Sequence, residues 1–165
     1  MSELRWRAFR RASWAWLAWE RVQLRLHPVT SLSPSSLFGY RKRDELIELH
    51  LDGRALARMR DVPGYTTFKA LHRMREDLAL LARRVRSGEL GEVAEIVGTS
   101  LMGEAGAVLG FEIRPLPRGI SSVLQQYFFV GLDAIYNPRG LRARATRRWP
   151  VTTRMSADAL LKRYG

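Results

Sequence analysis

The sequence predicts a single α+β domain spanning residues 1–165, with several helices packed on a small sheet of two to four short strands. Three observations lead there. Residues 45 to 52 alternate, with Ile47, Leu49 and Leu51 set against Glu48, His50 and Asp52, which is the period-two pattern of a half-buried strand. Residues 66 to 87 repeat apolar side chains at three- and four-residue spacing, through Phe68, Leu71, Met74, Leu78, Leu81 and Val85. That is the mark of an amphipathic helix. The 165 residues are 46% hydrophobic, enough for one core of ordinary size.

The elements follow in order. Residues 3 to 27 read as an amphipathic helix with Arg7, Arg10, Arg11, Arg21 and Arg25 on one side. Trp6, Phe9, Trp16, Leu17, Trp19, Leu24 and Leu26 fill most of the remainder. The Ser/Pro/Gly-rich stretch that follows reads as a loop over 28–43 leading into the alternating strand. Gly53 ends that strand, and 54–60 forms a short helix broken near Pro63-Gly64. The 66–87 helix is capped by Thr66 or Thr67 and closed by Gly88 in the left-handed position. A short helix is expected over 89–96 and another over 100–109, stopped by Gly110. Residues 111–116 read as a strand limited by Pro115 and Pro117. A helix is expected over 120–136, then a turn at Asn137-Pro138-Arg139-Gly140 and a basic, weakly patterned segment to 148. Residues 151–155 suit a short strand. Ser156 then caps a last helix through Tyr164, with Asp158 favourable in its first turn.

Composition narrows the function classes. There is no cysteine, which excludes disulfides, thiolate metal sites and a cysteine nucleophile. Lys and Arg number 28 against 16 Asp and Glu, a formal charge of +12. Such a field attracts polyanions: nucleic acid, anionic lipid headgroups or acidic glycans. Only Lys42, Lys69 and Lys162 are lysines, so part of the arginine excess reflects codon bias and identifies no particular ligand. No secretory signal is read, because arginines interrupt the first apolar run. No stretch reaches the roughly 20 apolar residues of a membrane span.

Three constellations could carry function. His50 lies between Glu48 and Asp52 on one strand face, with the side chains about 6.5–7 Å apart in turn. A histidine between carboxylates can serve as a general base or hold a metal, although no HxH or HExxH partner accompanies it. The plainer reading is the solvated face of an edge strand. Arg139, Arg142, Arg144, Arg147 and Arg148 form a basic segment beside Trp149 that can meet phosphates; the plainer reading is a solvated arginine surface. Trp6, Trp16 and Trp19 suit a membrane or partner contact, or docking of the first helix on its own domain. Gly98, Gly103, Gly106 and Gly110 lack the spacing of a phosphate loop, and residues 103, 106 and 107 read as small positions for close helix packing. No metal site and no cofactor are expected.

Three segments, Asp44 to Leu56 (DELIELHLDGRAL), Ile96 to Glu112 (IVGTSLMGEAGAVLGFE) and Trp149 to Tyr164 (WPVTTRMSADALLKRY), together resemble the YkoP-like domain family. The family pattern is an acidic-hydrophobic strand ending in Glu-Leu-His, a leucine after it, a Gly-x-Thr ahead of a helix, then Leu-Gly-Phe-Glu. The chain departs from it at Gly53, where the family often has Asn, and at Ser100, where it often has Thr. The resemblance implies a small bacterial domain that occurs alone or at the C-terminus of polysaccharide deacetylase chains, and hence a setting in cell-envelope glycan processing. It carries no catalytic assignment. The Asp and His metal ligands of the deacetylase itself are absent, so the chain is not expected to deacetylate a glycan alone.

The leading expectation is therefore an accessory, non-catalytic domain beside an envelope-polysaccharide enzyme, in the cytoplasm or peripherally at the inner face of the membrane. The partners expected are that enzyme or an anionic membrane surface. One alternative is a small enzyme using His50 with Glu48 and Asp52. Another is a non-specific nucleic-acid-binding module using the arginine-rich segment. The oligomeric state is left open.

Overall fold

The computed structural model describes residues 28–100, 103–116, 119, 122–123, 125–126 and 150–165. Two strands precede the one that alternation predicts: β1 over Thr30–Ser31 and β2 over Phe38–Arg43. They correct the loop expected over 28–43. In β2, Phe38 and Tyr40 alternate with Gly39 and Arg41, a half-buried pattern masked in sequence by the serines and proline before it. Asp44 and Glu45 then turn the chain into β3, Leu46–Leu51. Asp44 takes a φ of 48°, a left-handed conformation that aspartate tolerates better than most residues. β2 and β3 pair antiparallel from Arg43↔Leu46 to Phe38↔Leu51.

Helix α1 covers Gly53–Arg60 and α2 covers Thr67–Arg86. Thr66 caps α2 through its hydroxyl, which accepts from the Lys69 N–H at 3.2 Å. Gly88 follows the helix with φ 75°, as its place in the sequence suggests. The short helix expected over 89–96 is not there. Gly88 and Gly91 both take positive φ, and the chain enters strand β4 at Glu95–Ser100. Its start is held where the Ala94 N–H donates to the Glu45 carbonyl at 2.7 Å. Helix α3 spans Gly103–Val108, strand β5 Glu112–Pro115, strand β6 Val151–Ser156 and helix α4 Ala157–Tyr164. The Ser156 hydroxyl caps α4 by accepting from the Ala159 N–H at 3.1 Å. The helix expected over 3–27, the turn at 137–140, the basic segment to 148 and most of the 120–136 helix lie outside the described residues.

The fold is thus α+β, but its sheet is larger than expected. Six strands run in the order β1-β2-β3-β4-β6-β5. Neighbours are antiparallel except β3 and β4, which run parallel, joined through α1 and α2. The register places Tyr40, Leu49, Gly98 and Thr153 in one row and Ile47, Ile96 and Met155 in the next. These rows point to the helices. Ile47, Leu78, Leu81, Ile96 and Leu160 are fully buried, each contributing roughly 1.5–3 kcal/mol of hydrophobic stabilisation. Leu56 and Met59 of α1 pack against the same cluster.

Two apolar residues differ from expectation. Leu51 is 37% exposed, where the pairing of β3 with β4 has ceased at Leu49↔Gly98. Phe68 is 71% exposed. At 100° per residue it lies about 120° from Met74, whereas the buried arc of α2 contains Ala70, Met74, Asp77, Leu78, Leu81 and Ala82.

Asp77 is the unexpected member of that arc. It is 2% exposed, and one carboxylate oxygen accepts from the backbone N–H of Leu37 at 2.7 Å and of Phe38 at 3.0 Å. The side chain fastens the entry of β2 to the middle of α2. Burial raises its pKa, opposed by the N–H groups of Phe38 and Leu37, by Ser36 and by Arg73. Beyond it, Gly106 of α3 lets the helix lie close on the sheet. A Cβ there would come within 2.9 Å of Ile113 and 3.0 Å of Thr153. Gly103 is similarly close to Val151, while Ala107 is exposed and is not a packing position.

Two substitutions test this arrangement. Asp77→Leu should lose roughly 1–3 kcal/mol for each buried N–H it orphans, whereas Asp77→Asn keeps an acceptor and should fold. A folded pKa above the unfolded value means that the carboxyl's contribution is complete below the ordinary 3.8 and is lost as pH rises through the raised value. Urea midpoints should therefore show the Asn variant gaining on wild type as pH rises from acid towards neutral. A constant difference would refute the assignment. Gly106→Val should cost about 1–3 kcal/mol by overpacking, read as a lowered Tm, while Ala107→Val should be nearly silent.

Candidate functional site

The second face of the sheet is rich in charged side chains. By register, Arg41, Glu48, Val97, Arg154 and Glu112 form one row across five strands. Arg43, Leu46 and Glu95 form the row beside it. His50 stands opposite Gly39. Strand alternation puts them together: each is one residue out of phase with the core-facing set.

Glu48 is the hub. Its Oε2 accepts from Arg41 Nη1 at 3.5 Å and lies 3.8 Å from Arg43 Nε, while His50 Nε2 is 3.5 Å from Oε1. The last contact is an ion-pair separation rather than a good hydrogen bond, and His50 Nε2 is buried without a hydrogen-bond partner. His50 is the main influence holding the Glu48 carboxyl below its usual 4.5; Arg41 and Arg43 add to it, and partial burial works against it. Farther along the face, Arg154 grips Glu95 side-on, Nε to Oε1 at 2.8 Å and Nη2 to Oε2 at 2.5 Å. That pair lowers the Glu95 pKa. Arg114 pairs with Glu112 at 2.8 Å at the exposed margin.

The structure brings together two of the three residues singled out around the histidine. Asp52 is not on this face with them. Its carboxylate accepts from the N–H groups of Arg54 at 2.8 Å and Ala55 at 3.0 Å, capping α1 just beyond the strand's end. Its Oδ1 is thereby engaged in the helix start. Arg139, Arg142, Arg144, Arg147 and Arg148 lie outside the described residues, as do Trp6, Trp16 and Trp19. Sequence reasoning missed Arg41, Arg43, Glu95 and Arg154. The signal was there for the first two: Phe38 and Tyr40 alternate with Gly39, Arg41 and Arg43 up to a two-residue turn. Among the described residues no cluster of three or more His, Asp or Glu side chains is placed to hold a metal ion, and no helix is long and apolar enough to cross a membrane.

The hub has a pH signature. A lowered folded pKa means that the Glu48 carboxylate contributes stability above the ordinary 4.5, and that this is lost as pH falls through the lowered value. Glu48→Gln should cost roughly 1–2 kcal/mol at neutral pH, less than for a fully buried pair because Glu48 and Arg43 reach solvent. The gap to wild type in urea midpoint should close as the pH is taken below that range; a gap that persists in acid would show that Glu48 acts by packing alone.

Against known proteins, no curated protein and no solved structure matches the chain. A family model does: the YkoP domain matches residues 40–164. That span runs from Tyr40 within β2, through the polar hub on β3, to the end of the closing helix α4, and on that match the chain belongs to the YkoP domain family.

Proposed function

We propose that this chain is an accessory, non-catalytic domain that works beside an envelope-polysaccharide enzyme, in the cytoplasm or peripherally at the inner membrane face. The observation that carries the reading is that the two carboxylates that would support His50 in acid–base work are engaged otherwise. Asp52 caps a helix, and the Glu48 carboxylate is held ionised between arginines as well as beside His50. A carboxylate stabilised by two guanidinium groups is a poor proton donor and a weak base. What remains is a face of paired charges with a surplus of arginine, suited to recognising anionic groups. The YkoP resemblance supplies the setting, since such domains are found alone or joined to polysaccharide deacetylases.

The test is a reconstitution. The purified chain alone should release no acetate from an acetylated polysaccharide, with or without added divalent metal. Added to a polysaccharide deacetylase of the kind that carries YkoP domains, it should lower the KM for polymeric substrate and leave a short soluble oligosaccharide unaffected. Acetate release by the chain alone, or no effect on either substrate, would overturn the reading.

A further inference from the structure

Arg41 is 2% exposed, and two of its three guanidinium nitrogens, Nε and Nη2, are shielded from solvent with no hydrogen-bond partner. Only Nη1 is used, in the long contact to Glu48. Unpaired buried donors on a charged group are costly, so an arginine in this position should hold something. The nitrogens left over are not an arbitrary two. Nε and Nη2 form the parallel side-on fork of a guanidinium, the edge that matches the two oxygens of a carboxylate or phosphate. The same sheet face shows the fork occupied: Arg154 uses its Nε and Nη2 to hold both oxygens of Glu95. Arg41 presents the same edge with no oxyanion in it.

The surroundings suit an anion. His50 Nε2 is a second shielded nitrogen without a hydrogen-bond partner, on the other side of Glu48. Arg43 adds positive charge at the rim. Among the described residues Glu48 is the carboxylate of the cluster, and it faces both Arg41 and Arg43. The side chains of His50, Glu48 and Arg43 are 30%, 33% and 39% exposed, so the cluster meets solvent at its margin while Arg41 lies deeper.

We propose that Arg41 is the anchor of an oxyanion-binding site that takes the carboxylate or phosphate group of an acidic glycan. The glycan identity rests on the function proposed above; the oxyanion site does not. Tetrahedral and planar anions both fit the fork, and the two sources are separated by using inorganic phosphate and glucuronate as probes, with glucose as the neutral control.

The experiment follows the full chain by heteronuclear NMR of arginine Nε–H groups and by calorimetric titration. The Arg41 Nε–H resonance should shift on adding glucuronate, phosphate or both, and not on adding glucose, while the Arg154 resonance stays put. Arg41→Lys keeps the net charge and removes the fork. It should weaken binding by about tenfold or more, whereas Arg114→Gln, at the exposed margin, should change it less than about twofold. Equal binding by wild type and Arg41→Lys would overturn the site and assign the affinity to overall charge. An Arg41 resonance that answers to neither anion would also overturn it, and would mean that a carboxylate of the chain itself fills the fork. Should Arg41→Lys fail to fold, the wild-type resonance still decides. Anion binding at Arg41 without any effect on a deacetylase would leave this site standing and remove the accessory role; the converse would move the partner contact elsewhere.

Discussion

The interaction on which the rest depends is the buried carboxylate of Asp77 on the N–H groups of Leu37 and Phe38. The segment from Ser33 to Ser36 is short, polar and rich in turns, and nothing in its composition fixes where β2 should begin. Asp77 fixes it. By holding two successive amides at the middle of α2, it sets the first residue of β2, and with it the phase of the strand. Phase decides everything on a two-faced sheet: one residue of slip would turn Arg41 and Arg43 towards Leu78 and Leu81, and Phe38 and Tyr40 outward. Arg84 reinforces the tether by donating to the Leu32 carbonyl at 3.0 Å, so α2 holds this segment at two places about two turns apart on one helix face.

The two faces that this phase separates do different work. One is an apolar cluster to which α1, α2 and α4 contribute. The other is an electrostatic surface on which two pairings set arginine opposite glutamate, Arg41 with Glu48 between β2 and β3 and Arg154 with Glu112 between β6 and β5. Cross-strand ion pairs of this sort are modest individually when they reach solvent. Their value is in specifying register, since a slipped pairing would oppose like charges. The Arg41 environment departs from that logic, because there the positive charge is buried and only partly answered.

What the sequence revealed follows from the range of the forces involved. The alternation of β3, the stripe of α2, the caps at Thr66 and Ser156 and the glycine after α2 are local, and each was readable. The sheet's size was not, because β1 and β2 are held by partners far away in sequence: Asp77, Arg84 and the strand β3. The turn-like composition before Phe38 outweighed a short alternation inside FGYRKR. The glycines at 88 and 91 outweighed a weak helical pattern before Glu95. At the candidate site, Glu48 and His50 were legible as neighbours on a strand, yet Asp52 read as their companion because periodicity alone cannot see a helix beginning. Arg41, Arg43 and Arg154 join them only through pairing across strands, which no single segment encodes.

The strand order has a consequence for how the chain is made. β6 lies between β4 and β5, so among the described residues β5 has no other neighbour in the sheet and β4 lacks its second partner until Val151–Ser156 arrives. On a ribosome adding about 5–20 residues per second, some seconds pass between Ser100 and Val151. During that interval an apolar strand containing Ile96 and Val97 offers its backbone to any passing edge. The nascent chain should therefore be a client for chaperones until its final elements appear, and ribosome stalling within that window should favour aggregation over folding.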